Sequence, residues 1–131
     1  MAKTRKRNYK YFHKSKDTGN VWPYIYYHPN RYYDFVVAGT RHRDGLEEYV
    51  GEFKGQLVPE PENDYDPLAI RVEHEDGHFI GYVPKDKTQE IRDFKSNLPC
   101  ECYCYIERRK DEWGDISFFA LCFVTEYPLD E

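Results

Sequence analysis

Between Pro67 and Pro84 the chain reads Leu-Ala-Ile-Arg-Val-Glu-His-Glu-Asp-Gly-His-Phe-Ile-Gly-Tyr-Val, two runs on either side of Asp76-Gly77. In the first run Leu68, Ile70 and Val72 alternate with Ala69, Arg71 and Glu73, the period-two pattern of a strand with one buried face. Asp76-Gly77 supplies the positive-φ pair that a two-residue hairpin turn requires, and Phe79 to Val83 supplies the returning strand. Immediately before the hairpin, Pro59, Pro61 and Pro67 break the stretch from Pro59 to Pro67. Proline cannot donate to a sheet ladder, so no central strand runs through that segment. The expectation is a sheet whose best-defined hairpin is entered through a proline-rich loop.

The flanking segments extend the β reading. Tyr33-Asp34-Phe35-Val36-Val37 is a β-branched and aromatic run that ends at Ala38-Gly39, which predicts a first strand. A second, irregular strand is expected around Glu48 to Lys54. Two last strands are expected at about Glu101 to Arg108 and Ile116 to Glu126, joined through Lys110 to Asp115. One helix is expected between them and the hairpin, roughly Asp86 to Lys95, with Asp86 as cap, Gln89 completing a capping box, and Ile91 and Phe94 forming the apolar stripe. No internal repeat or low-complexity segment interrupts this order. At 131 residues the chain has the length of one domain. The expected fold class is mainly β, a small OB-like or SH3-like β-barrel with one short α-helix.

Charge is unevenly placed. Residues 1–33 hold eight Lys and Arg against Asp17, a net of +7, so the overall charge of −5 leaves −12 on the remainder. A protein that coats duplex DNA shows a basic face, because counterion release drives that binding; the body of this chain has the wrong sign. Residues 1–31 are therefore set apart as a basic, aromatic-rich amino-terminal arm, and residues 32–127 as the barrel domain. In the arm Tyr9, Tyr11, Phe12, Trp22, Tyr24, Tyr26 and Tyr27 sit among cations. Two readings stand: a partly disordered tail leading to an edge strand, and an accessory surface on which the bases of a single strand stack. No window approaches the roughly 20 apolar residues of a membrane span, and the basic start lacks an apolar signal core, so a cytoplasmic location is expected.

Three stretches, in order, resemble the HIRAN domain family, a module found alone in bacteria and at the amino end of DNA-repair ATPases of the Swi/Snf type. They are Phe35-Val36-Val37-Ala38-Gly39-Thr40-Arg41, the proline-rich segment Leu57 to Ile70, and Ile80-Gly81-Tyr82-Val83-Pro84-Lys85. The resemblance implies an OB-like barrel that holds the 3′ end of single-stranded DNA, in repair or replication, with protein partners in repair. Carried over by position, Tyr65 would stack on a base and Asp66 would accept a hydrogen bond from the terminal hydroxyl. Asn63 and Lys85 would hold phosphate oxygens, and Arg41 would line the pocket. His42 stands where the family usually has an aromatic residue and could itself stack on a base. Glu62 and Asp64 replace a frequent Asn and Pro, and Leu68 a frequent Asn, which places two extra acids beside the implied phosphate site.

Other chemistries have weaker footing in the residues. Cys100, Cys102, Cys104 and Cys122 match a zinc site in number, but alternate strand residues lie ~6.6 Å apart on one face, farther than thiolates sharing zinc, about 3.8 Å apart by ~2.3 Å bonds. The expectation is free thiols facing a core, with Glu101, Tyr103, Tyr105 and Glu107 facing out, and neither metal nor cofactor. Glu60, Glu62, Asp64 and Asp66 could hold Mg²⁺ for hydrolysis of a phosphate ester. No P-loop and no recognisable nucleophile motif is present, so the chain is expected not to be an enzyme. The remaining alternative is a protein-interaction or homodimerisation module built on exposed strands and the tyrosine-rich arm; oligomeric state is not legible.

Overall fold

The computed structural model describes residues 10–24 and 31–129. Eight strands and one α-helix follow in order: β1 Phe12–Lys14, β2 Val21–Pro23, β3 Tyr32–Val36, β4 Gly51–Pro59, β5 Ile70–His74, β6 Phe79–Tyr82, α1 Thr88–Phe94, β7 Cys100–Lys110 and β8 Ile116–Thr125. Six of them form one antiparallel sheet in the order β3-β8-β7-β4-β5-β6, while β1 and β2 pair only with each other. The sheet curls into a half-barrel, so the expected mainly β class with one short helix is observed.

The curl brings the two ends of the sheet together just past β3. Ala38 N–H donates to the Tyr82 carbonyl at 2.8 Å and Tyr82 N–H returns to the Ala38 carbonyl at 2.9 Å. Gly81 permits this approach. A Cβ there would lie 2.5 Å from the Ala38 carbonyl oxygen and 2.6 Å from a Val37 methyl carbon, a clash with backbone that no rotamer relieves. Inside the curl Phe35, Leu57, Ile70, Val72, Ile80 and Ile91 pack with Cys102, Cys104, Ile106 and Cys122 as the main core. Helix α1 closes one end with Ile91 fully buried.

Several expectations are displaced by tertiary demands. Asp76-Gly77 does not form a two-residue turn: His74 N–H bonds the His78 carbonyl and Gly77 N–H the His74 carbonyl, which makes Glu75 to Gly77 a three-residue loop. The irregular second strand divides. Leu46 is drawn into the core from a 3₁₀ turn at Leu46–Tyr49, and β4 then runs unbroken to Pro59. Asp86 does not cap the helix, because Pro84 opens a 3₁₀ turn at Lys85–Lys87 that contains it, and α1 begins at Thr88 with no side-chain cap.

The largest correction concerns the amino-terminal arm. Residues 10–24 form a hairpin whose underside, Tyr11 and Phe12, packs on the outer face of β7 and β8 against Tyr103, Tyr105, Leu121 and Phe123. The Phe12 ring lies 5.2 Å from Phe123 and the Tyr11 ring 4.7 Å from Tyr103. The Glu52 carboxylate accepts the backbone N–H groups of Lys10 at 2.6 Å and Tyr11 at 3.0 Å. Tyr103 and Tyr105, placed in solvent by alternation alone, are 1% and 3% exposed. Burial pushes the Tyr103 phenol up to about 12. Tyr9, Tyr26 and Tyr27 lie outside the described residues.

The cysteine geometry also differs from the expectation. Cys104 and Cys122 are cross-strand partners, Cys102 and Cys104 Sγ atoms approach to 3.9 Å, and the three sulfurs lie within 4.8 Å of one another. Strand spacing fixes Cα and Cβ, whereas χ1 rotation swings each Sγ toward its neighbour. The spacing alone therefore did not exclude convergence. All three are free thiols enclosed in the core, and burial holds Cys102 and Cys122 well above the usual thiol range.

Candidate nucleic-acid interface

An open groove of about 610 Å³ lies where the β4–β5 loop meets the Ala38–Tyr82 closure, with Arg43, Asn63, Tyr65, Asp66, Tyr82 and Lys85 among its lining residues. The loop, residues 60–69, is built from its own polar side chains. Asn63 Oδ1 accepts the N–H groups of Tyr65 and Asp66, both at 2.8 Å, and Asp66 Oδ1 accepts that of Leu68 at 2.9 Å across Pro67. These are Asx turns, the local geometry that short acceptor side chains favour. The backbone adds Asn63 N–H to the Glu60 carbonyl and Ala69 N–H to the Asp66 carbonyl, both at 3.0 Å.

Glu60, which the sequence offered only as a candidate metal ligand, is the anchor of this loop. One of its oxygens accepts from Asn63 Nδ2 at 2.7 Å and from the Tyr82 hydroxyl at 2.8 Å, and the other from Arg71 Nη1 at 3.2 Å. The Asn63 hydrogen bond, helped by Tyr82 and Arg71, holds the Glu60 carboxyl below the usual carboxylate range against the opposing effect of burial. Burial and the Glu60 charge in turn raise the Tyr82 phenol. Helix α1 steadies the far end of the loop, where Arg92 Nη2 donates to the Leu68 carbonyl at 3.0 Å.

From this rigid base Tyr65 projects into solvent with 95% of its surface exposed. Asp66 is half-buried beside it, and among the described residues its second carboxylate oxygen takes no hydrogen bond. Lys85 is exposed at the groove edge, and among the described residues its ammonium pairs with no acid. The groove brings these three positions together.

Asn63 lines the groove as well, whereas Arg41 and His42 do not. Asn63 Nδ2 donates to the Glu60 carboxylate at 2.7 Å and lies 3.3 Å from the Tyr82 hydroxyl, while its oxygen accepts from the loop backbone, so it positions Tyr65 and Asp66. Arg41 and His42 sit exposed in a 3₁₀ turn, Thr40–His42, and neither lines the groove. Gly39, in the left-handed region at φ 79°, turns the chain outward there, and the backbone becomes extended again at Arg43. Arg43 takes the groove position instead, its guanidinium 4.2 Å from the centroid of the Phe79 ring and its Nε 3.3 Å from the Gly39 carbonyl. Arg71 lies 3.8 Å from the same centroid. Phe79 thus holds two cations that the sequence could not assign, because Arg41 and Arg43 are equivalent until the turn is known.

The acidic cluster does not form a metal cradle: among the described residues, the three converging thiols are the group of potential ligands that lie within 4.8 Å of one another. The groove still bears four acids, Glu60, Glu62, Asp64 and Asp66, against Arg43 and Lys85. No helix among the described residues is long and apolar enough to cross a membrane.

Residues 30–119 match the family model of the HIRAN domain. Among solved structures, the chain is similar to the crystal structure of the HIRAN domain of human HLTF, at 19% identity, with 70% of this chain and 74% of that one covered and a TM-score of 0.46. Among curated proteins none matches. With the family's match spanning more than half of the sequence, the chain belongs to the HIRAN domain family, whose members are DNA-binding modules rather than catalytic domains.

Proposed function

We propose that the barrel domain, residues 32–127, binds the 3′ end of single-stranded DNA in the groove. The observation that carries this reading is Tyr65, 95% exposed at the apex of a loop in which its neighbours are already hydrogen-bonded. Because the backbone on which Tyr65 stands is already tied, stacking a base on its ring does not carry the cost of ordering the loop. Asp66 offers a free carboxylate oxygen to a terminal 3′-hydroxyl and repels a 3′-phosphate, so part of the specificity is refusal. Lys85 and Arg43 take the phosphate oxygens, with the Phe79 ring 4.2 Å from the Arg43 guanidinium. Four lining acids against two cations rule out affinity based on neutralising many phosphates, which suits recognition of one terminal nucleotide. The reading needs neither metal nor cofactor, and it suits a cytoplasmic protein serving repair or replication, where free 3′ ends and repair proteins meet.

Fluorescence anisotropy of one linear oligonucleotide ending in either a 3′-hydroxyl or a 3′-phosphate tests it. The hydroxyl form should bind more tightly. Tyr65→Ala should weaken all base sequences alike, by roughly 1–3 kcal/mol, without changing thermal stability. Asp66→Ala should lower affinity for the hydroxyl while relieving repulsion of the phosphate. Equal affinity of the unmutated protein for both ends would overturn end recognition.

A further inference from the structure

The β1–β2 hairpin, residues 12–23, lies outside the segment that matches the family, and its two faces differ. The inner face buries Phe12 and Pro23, which are register partners. On the outer face the next pair, His13 and Trp22, is in ring contact at 4.6 Å, and Tyr24 lies 5.8 Å from His13. Trp22 is 46% and Tyr24 41% exposed. Three exposed rings in one row, His13 inclined 45° to Trp22 and 70° to Tyr24, offer aromatic faces on which splayed bases can stack.

Charge gives this platform its ligand. On the opposite, β7-facing side of the same hairpin, reached over its edge at the turn, an open cleft is lined by Lys14, Arg108 and Arg109 with Glu107 among them, and Lys14 Nζ lies 3.3 Å from the Tyr105 hydroxyl. Glu107 pairs with Lys14 at 3.8 Å and Arg109 at 2.6 Å, while Arg108 reaches Glu47 at 3.1 Å. With Glu47 counted, three cations face two acids, a surplus of one positive charge and the reverse of the end-binding groove. Lys10 and Lys16 belong to the same segment, and Lys3, Arg5, Lys6 and Arg7 precede it in the chain.

We propose that this hairpin is a second, end-independent contact for single-stranded DNA, with bases stacking on Trp22, His13 and Tyr24 and the phosphate backbone following Lys14, Arg108 and Arg109. A duplex fits this platform poorly, since its bases are already stacked within the helix. The surface reads no terminus, so it holds the strand whether or not its end is in the groove. The proposal stands on different residues from end recognition.

A circular single-stranded DNA oligonucleotide, which has no end, isolates it. With Trp113→Phe, Trp22 is the one tryptophan left in the chain, so its fluorescence reports directly on stacking. The circle should quench that fluorescence and bind with a strong salt dependence, and a duplex of equal length should not quench it. Trp22→Ala should weaken binding of the circle about tenfold; the position is outward-facing, and unchanged circular dichroism would confirm that the variant folds. Absence of binding and quenching with the circle, or equal affinity in Trp22→Ala, overturns the proposal, as does quenching by RNA or duplex alone. Tyr65→Ala should leave the circle bound, and equal affinity of the unmutated protein for the two 3′ ends, with the circle still bound, refutes the groove reading alone.

Discussion

The Tyr65 loop and the Trp22 hairpin both hold aromatic rings in water, but they are secured by opposite means. The loop is tied by hydrogen bonds: Asn63, Glu60 and Asp66 satisfy its backbone and one another, and Ala69 is its one buried side chain. The hairpin is secured from below by apolar burial, with Phe12 1% and Tyr11 6% exposed, and by Glu52 at its entry. A site that distinguishes a hydroxyl from a phosphate must hold a carboxylate in a fixed place, and directional bonds do that. A surface that stacks any base needs rings and cations in roughly the right plane, and non-directional packing is sufficient. The charges divide in the same way, acidic in the groove and basic in the cleft.

The contrast can be broken most forcefully at Phe12. Phe12→Ala should cost about 3–5 kcal/mol of stability, the usual cost of truncating a buried phenylalanine, measured by denaturant unfolding. A loss below about 1 kcal/mol would mean that the hairpin is not held by burial, contrary to its placement.

A smaller effect is expected at Glu60, where the loop depends on a charge. Its folded pKa lies below the ordinary value of 4.5, so its contribution is complete above that value and is lost as pH falls through the lowered folded value. End binding should weaken in that acid range, and hydrogen exchange at Tyr65 and Asp66 should quicken. Glu60→Gln should cost about 1 kcal/mol at neutral pH, a discounted value for a hydrogen-bonded charge still partly in water. It should also flatten the acid response, while the Trp22 signal stays unchanged in both experiments. An acid response that survives in Glu60→Gln assigns the titration to another group.

The smallest effect sharpens the electrostatic half of the comparison. Removing residues 1–8 takes away Lys3, Arg5, Lys6 and Arg7 but spares the Lys10 and Tyr11 contacts with Glu52. The salt slope for a circular single strand should fall by at most about 0.7 per cation lost. Thermal stability and the preference for a 3′-hydroxyl should not change. A lost end preference would place end recognition in the arm.

The sequence alone determined the elements whose causes are local. Alternation of Ile70 and Val72 with Arg71 and Glu73 placed β5, the β-branched run from Tyr33 placed β3, and Ile91 with Phe94 marked the helix. The prolines from Pro59 to Pro67 marked the loop that carries Tyr65 and Asp66. Tertiary structure decided whatever depended on residues far away in the chain. Whether Arg41 or Arg43 faces the groove depends on how the turn after Gly39 meets Phe79, 40 and 36 positions further on for Gly39 and Arg43 respectively. Glu60 became an anchor because the sheet closure brings Tyr82 and Arg71 to it. Tyr103 and Tyr105 carry the period-two signature of an exposed face, and they are buried because a hairpin more than 80 residues earlier folds over them. Local periodicity records which residues share a face of a strand, but what covers that face is settled by the packing of the whole chain.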